Sequence, residues 1–230
     1  MRSAHPEPPV EQGTRDGLAY ARFAPAGPPA GGVVILHGAG SQKENHFDFA
    51  HACTAAGLAA VVFDQRGHGA SAGALDARAL DDVAAMAALL APAPVALRGS
   101  SMGGWVALAA AARAGAAAVV AICPASGAQM RQGLREQRWD VPVDVAALDA
   151  LFTSVDLETA AARLGTGLLL QHAEGDETVP VAHSRALHAA APRSTLDVLP
   201  GGDHRSVQHD AGAQARAVAF IAARCAEAAR

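Results

Sequence analysis

The stretch that most constrains this chain is Pro94-Val95-Ala96-Leu97-Arg98-Gly99-Ser100-Ser101-Met102-Gly103-Gly104-Trp105. A short apolar run leads into a glycine-framed turn, and an alanine-rich helical segment follows. A serine set as Gly99-Ser100-Ser101-Met102-Gly103 fits a sharp strand-to-helix turn that exposes its hydroxyl. The flanking glycines have a steric task, since side chains two positions either side of Ser101 would collide with the strand and the helix. Such a turn needs a buried strand before it and a helix packed behind it. The rest of the chain is expected to supply more units of the same kind.

It does so at regular intervals. Val33-Val34-Ile35-Leu36 is fully apolar and ends at His37-Gly38, as a buried central strand would. Residues 58–63 form the next apolar run, ending at Asp64, and residues 117–123 another, stopped by Pro124. Residues 167–171 and 195–199 complete the series, with helical patterns near 47–56, 81–90, 105–113, 181–191 and from about 213. Residues 1–16 read as a loose, proline-rich arm leading into an edge strand at 18–23. Strands alternating with helices predict a doubly wound, mostly parallel α/β sheet of about seven or eight strands. The rhythm breaks at residues 125–164, a polar segment with short helical patterns at 145–152 and 157–164. The predicted organisation is a core of residues 1–124 and 165–230, with residues 125–164 inserted as a small helical cap.

Charge and cysteine content narrow the partners. A net charge of -4, with no run of like charges, argues against nucleic acid or an anionic membrane surface. No uncharged apolar stretch is long enough for a membrane span, and Met1 to Gln12 lacks the apolar core of a signal peptide. Three widely spaced cysteines, Cys53, Cys123 and Cys225, fit reduced thiols, and a cytoplasmic protein is expected. No cysteine has the close partners of a zinc site, and His46 and His51 do not share a helix face, so no metal is expected.

In an open parallel sheet, ligands bind beyond the carboxyl ends of the strands. His37, Asp64, Ser101, Asp176 and His204 all follow apolar runs and converge there. Serine needs a base to act as a nucleophile, and the base needs an acid to orient it. Ser101, Asp176 and His204 come in the chain order expected after such a turn. His209 is the alternative base, and Glu174, Asp203 and Asp156 are rival acids. His37, Asp64 and Arg66 read as loop braces. Arg98, a cation in a strand expected to be buried, calls for a partner, and a carboxylate beneath the turn is one option.

These residues carry a resemblance. His37-Gly38, Asp64-Gln65-Arg66-Gly67-His68-Gly69-Ala70-Ser71, the segment 99–104, Gly175-Asp176 with Val179-Pro180, and Gly202 with His204 are similar to the motifs of α/β-hydrolases. The small esterase and serine-aminopeptidase-like members are the most alike. One departure is Ala173, where the pattern usually has glycine. The resemblance implies a cofactor-free serine hydrolase acting on a small-molecule ester of short or medium acyl length through an acyl-enzyme. Thioester or small-amide cleavage would use the same groups, and a non-catalytic ligand-binding protein on this fold is the reading from another class. The oxyanion would rest on the backbone amides of Met102, at a helix N-terminus, and Ala39, with Gly40 as the runner-up. Gly40, Trp105, Met130, Trp139 and Phe152 are the expected pocket residues, with the cap setting substrate size.

Overall fold

The computed structural model describes residues 8–230. Among them, eight strands form one sheet: β1 (Glu11–Arg15), β2 (Leu18–Phe23), β3 (Gly32–Leu36), β4 (Ala59–Phe63), β5 (Val95–Ser100), β6 (Ala118–Ile122), β7 (Leu168–Ala173) and β8 (Thr195–Leu199). Their order across the sheet is β1-β2-β4-β3-β5-β6-β7-β8. The β1–β2 and β2–β4 pairs are antiparallel, and every pair from β4 to β8 is parallel. The expected α/β-hydrolase sheet is thus the one observed.

The central strands are apolar on both faces because helices cover both. Val34, Leu36, Val61, Phe63, Leu97 and Val119 point into one core, and Val33, Ile35, Ala60, Val62, Ala96 and Val120 into the other. Each fully buried Val, Leu or Ile contributes roughly 1.5–3 kcal/mol. Helices α1 (Phe47–Ala55) and α9 (Ala211–Ala228) pack together on the second face. The first is covered by α2 (Ala79–Ala87), α3 (Met102–Ala110), α6 (Leu157–Leu164) and α7 (Val181–Ala190).

One expectation is corrected at the edge. Leu18–Phe23 is not the edge strand; Glu11–Arg15 lies outside it, within the stretch read as a loose arm. The sequence EQGTR has no apolar side chain to mark a strand, and its register comes from backbone pairing with β2. Residues 1–7 of that arm lie outside the described residues.

Between β6 and β7 the chain forms α4 (Gly127–Arg135) and α5 (Val145–Ser154), which pack on each other, and then α6, which packs on α3 and α7. Ser126 and Gln129 close a reciprocal cap at the start of α4, and Asp144 caps α5. The segment is fastened to the loop after β4: Leu75 N–H donates to Pro142 O, and Asp144 N–H donates to Leu75 O. Among the described residues, no helix is long and apolar enough to cross a membrane.

Candidate active site

The strand order reverses between β3 and β5, and the site forms at their carboxyl ends. Ser101 links β5 to α3 with φ 54° and ψ -117°, a backbone conformation that an L-residue adopts only when its surroundings impose it. Its surroundings do. A Cβ at Gly99 would stand 2.0 Å from Gly103 O, and one at Gly103 would stand 2.5 Å from the carbonyl oxygens of Leu36 and His37. Only glycine allows strand, turn and helix to approach this closely. Gly38 completes the enclosure, since a Cβ there would lie 3.4 Å from Ser101 Cβ.

Asp176 and His204 arrive on adjacent loops after β7 and β8. Gly175 N–H donates to Gly201 O, and Glu174 N–H donates to Leu199 O, which zips the two loops together. Asp176 Oδ1 accepts from Thr178 N–H and Val179 N–H, at 2.9 and 2.8 Å. Its Oδ2 accepts from His204 Nδ1 at 2.7 Å. Burial alone would raise the Asp176 pKa, but the hydrogen bonds from His204 and Val179 outweigh it and hold the carboxyl below its usual value. With Nδ1–H committed to Asp176, His204 Nε2 is left as an acceptor. His204 and Ser101 line one cavity of about 490 Å³. The rival acids are engaged elsewhere: Glu174 lies 3.7 Å from Arg185, Asp203 accepts from Arg205 N–H and Ser206 N–H, and Asp156 caps α6. His209 ends the short helix α8 (Ser206–His209), and its Nδ1 donates to Asp48 at 3.0 Å.

Sequence reasoning passed over His172. Its Nε2 donates to Val179 O at 2.8 Å and lies 3.4 Å from Asp176 Oδ2, while its Nδ1 accepts from Ser184 Oγ at 2.7 Å. It thus braces the loop that holds Asp176. Cys123, at φ 42°, also sits beneath this pair, with ligating atoms of Cys123, Asp176 and His204 within 4.8 Å of one another. Burial pushes the thiol up to about 12, so it stands there protonated.

The braces are specific. His37 Nδ1 donates to Gly38 O and its Nε2 accepts from Gln65 N–H, so the ring is neutral; burial lowers its pKa to about 4. Asp64 accepts from Lys43 N–H, Lys43 Nζ and Ala70 N–H, and Arg66 forms a bidentate pair with Asp82. Arg98 is fully buried, and its partner is not a carboxylate. Its Nη1 donates to His46 Nδ1 at 3.0 Å, its Nη2 to Gln208 O at 2.9 Å, and its guanidinium lies 4.4 Å from the centre of the Phe49 ring. Ser100 Oγ donates to Gln208 Oε1 at 3.0 Å. Strand β5, which ends just before Ser101, therefore grips Gln208 in the short helix after His204 at two points.

The structure separates the expected pocket residues into two groups. Gly40 lines the cavity, as do Ala39 and Ser101, but Trp105, Met130, Trp139 and Phe152 do not. Trp105 meets Phe152 edge-on at 4.9 Å, Phe152 meets Trp139 at 6.1 Å, and Met130 joins the same core cluster. The apolar groups of the insertion are consumed in fastening it to α3. The cavity wall is instead largely polar, with Ser41, Asn45, Arg205, Gln208 and His209.

Fold and site together define an α/β-hydrolase. The model of the family described as "Serine aminopeptidase, S33" matches residues 27–143, half of the chain, and the chain belongs to that family. Among solved structures, a monoacylglycerol lipase from Paleococcus ferrophilus superposes with a TM-score of 0.72 at 18% identity, over 90% of this chain and 99% of that one. Est1E from Butyrivibrio proteoclasticus, with ferulic acid bound, superposes at 0.71 and 19% identity, over 96% and 98%. A putative non-heme bromoperoxidase, BpoC, from Mycobacterium tuberculosis gives 0.69 at 17% identity, over 90% and 96%. A search of the curated proteins returned no match.

Proposed function

We propose that this protein is a serine hydrolase that cleaves carboxylic esters of short or medium acyl length through an acyl-enzyme. The observation that carries the reading is the 2.7 Å hydrogen bond from His204 to a buried Asp176, beside a cavity shared with a strained Ser101. His204 Nε2 takes the Ser101 proton as Oγ attacks the ester carbonyl. The oxyanion of the tetrahedral intermediate accepts hydrogen bonds from Met102 N–H and Ala39 N–H. His204 then gives its proton to the departing alcohol, and water repeats the sequence to release the acid and regenerate Ser101. Asp176 keeps the ring in the tautomer with Nε2 free and stabilises the imidazolium as it forms.

No step needs a cofactor or metal. The insertion around 125–164 acts as a cap over this edge of the sheet, and the protein works in the cytoplasm. A second reading, hydrolysis of a small amide, is favoured by the description of the family and uses the same groups. The test is kcat/KM over p-nitrophenyl esters from acetate to palmitate. The expected optimum lies among short or medium chains, in keeping with a cavity of about 490 Å³. Turnover of none of them, or an optimum at palmitate, would contradict the proposal.

A further inference from the structure

The cavity beside Ser101 has a chemical bias that the esterase reading does not use. Its wall is formed by the loop 38–41, Asn45, Ser100 and Ser101, and by His204, Arg205, Gln208 and His209. Ala39 carries its one aliphatic side chain; the others are polar or absent. An apolar chain placed there would meet little carbon surface. No carboxylate lines it, and the fixed cation on its wall is Arg205.

The hydrogen-bond inventory sharpens this bias. Ser100 O–H donates to Gln208 Oε1, Gln208 Nε2 donates to His209 Nε2, and His209 Nδ1 donates to Asp48 Oδ2. His209 and Gln208 are thus committed to one another, and Asp48, which also accepts from Gln214, stays behind His209 and outside the wall. Ser41 Oγ accepts from Asn45 Nδ2, which leaves its own proton to donate. Among the described residues the Arg205 guanidinium is in no ion pair. Glu177 and Asp203 line a second depression, which His204 and Arg205 also border, and Asp203 is held by backbone N–H groups. Apart from the acceptors His204 Nε2 and Asn45 Oδ1, what the cavity offers a ligand is donors and one positive charge, with no carboxylate to repel an anion.

Resting on the serine-esterase reading, we infer that the preferred substrate is an ester whose non-reacting end carries an anionic oxygen group, a carboxylate or phosphate, held by Arg205 with Ser41 and Asn45 beside it. Arginine suits such a group because its planar fork can donate two parallel hydrogen bonds. The site is open to water, so the preference is modest and sensitive to salt.

The test uses the full chain and two matched pairs of esters. One pair carries the charge on the acyl side, p-nitrophenyl hydrogen adipate against p-nitrophenyl hexanoate. The other carries it on the alcohol side, 4-acetoxybenzoate against 4-acetoxybenzamide. The anionic member of at least one pair should have the higher kcat/KM, on the order of fivefold at low salt. That ratio should shrink at high salt, fall to about one in Arg205→Gln, and survive in part in Arg205→Lys. Ratios of one or less in both pairs, or a preference untouched by Arg205→Gln, would overturn the inference while leaving the esterase reading intact. Hydrolysis of none of the four esters would overturn both.

Discussion

Acid should loosen this fold through a particular pair of groups. His46 is buried against Arg98, and its surroundings hold few compensating charges: His37 and His209 lie nearby, and Asp48 is the one carboxylate among them. Burial first, and then the Arg98 guanidinium, lower its pKa to about 2. In the unfolded chain a histidine titrates near 6.5, so between roughly pH 6 and 3 the unfolded state binds a proton that the folded state refuses. For a group depressed in this way, stability is full above the unfolded pKa and falls as pH falls. The slope is about 1.4 kcal/mol per pH unit for one proton. Between pH 6.5 and 4.5 His46 alone thus costs about 2–3 kcal/mol, a large share of a stability on the order of 10 kcal/mol. His37, lowered to about 4, adds a similar slope over most of that window. His46→Gln keeps an acceptor for Arg98 but cannot be protonated. Urea unfolding at pH 7, 6, 5 and 4.5 measures the slope directly. The variant should match the wild type in shape of transition and lose about one proton of pH dependence. An identical pH slope in the two proteins would refute the argument that a buried neutral His46 underlies the acid sensitivity.

The other predictions concern the site. Asp176→Asn should keep its fold and its KM within a few-fold yet lose roughly 10⁴-fold in kcat, because an amide no longer fixes the productive His204 tautomer; near wild-type turnover of a p-nitrophenyl ester would move the role to another acid. Gly103→Ala would press a methyl to 2.5 Å from two rigid carbonyl oxygens. A loss of about 3 kcal/mol is expected, read in calorimetry as a melting temperature lower by roughly 6–12 °C, and an unchanged melting temperature would contradict the packing described for the turn.

The parts of this molecule legible in its sequence are those whose causes are local. The Ser101 turn could be read because close approach of three backbones demands glycines at fixed offsets, and 99 and 103 supply them. Strands β3, β4 and β6 could be read because burial on both faces leaves unbroken apolar runs, and β5 and β7 because they open on such runs. Strand β1 could not, since Glu11–Arg15 has no apolar face and pairs through its backbone alone. The partners of Arg98 were equally hidden, because His46 and Gln208 come from segments 52 and 110 residues away. The same holds for Trp139 and Phe152: their composition fits a pocket or a core, and their contact with one another and with Trp105 depends on how the insertion folds back.

The central claim is that Ser101 is the nucleophile, and covalent labelling tests it most directly. A fluorophosphonate should add one phosphonyl group to the wild type, mapped by peptide mass spectrometry to Ser101, and none to Ser101→Ala. Labelling that persists in Ser101→Ala, or that maps to the neighbouring Ser100, would contradict it.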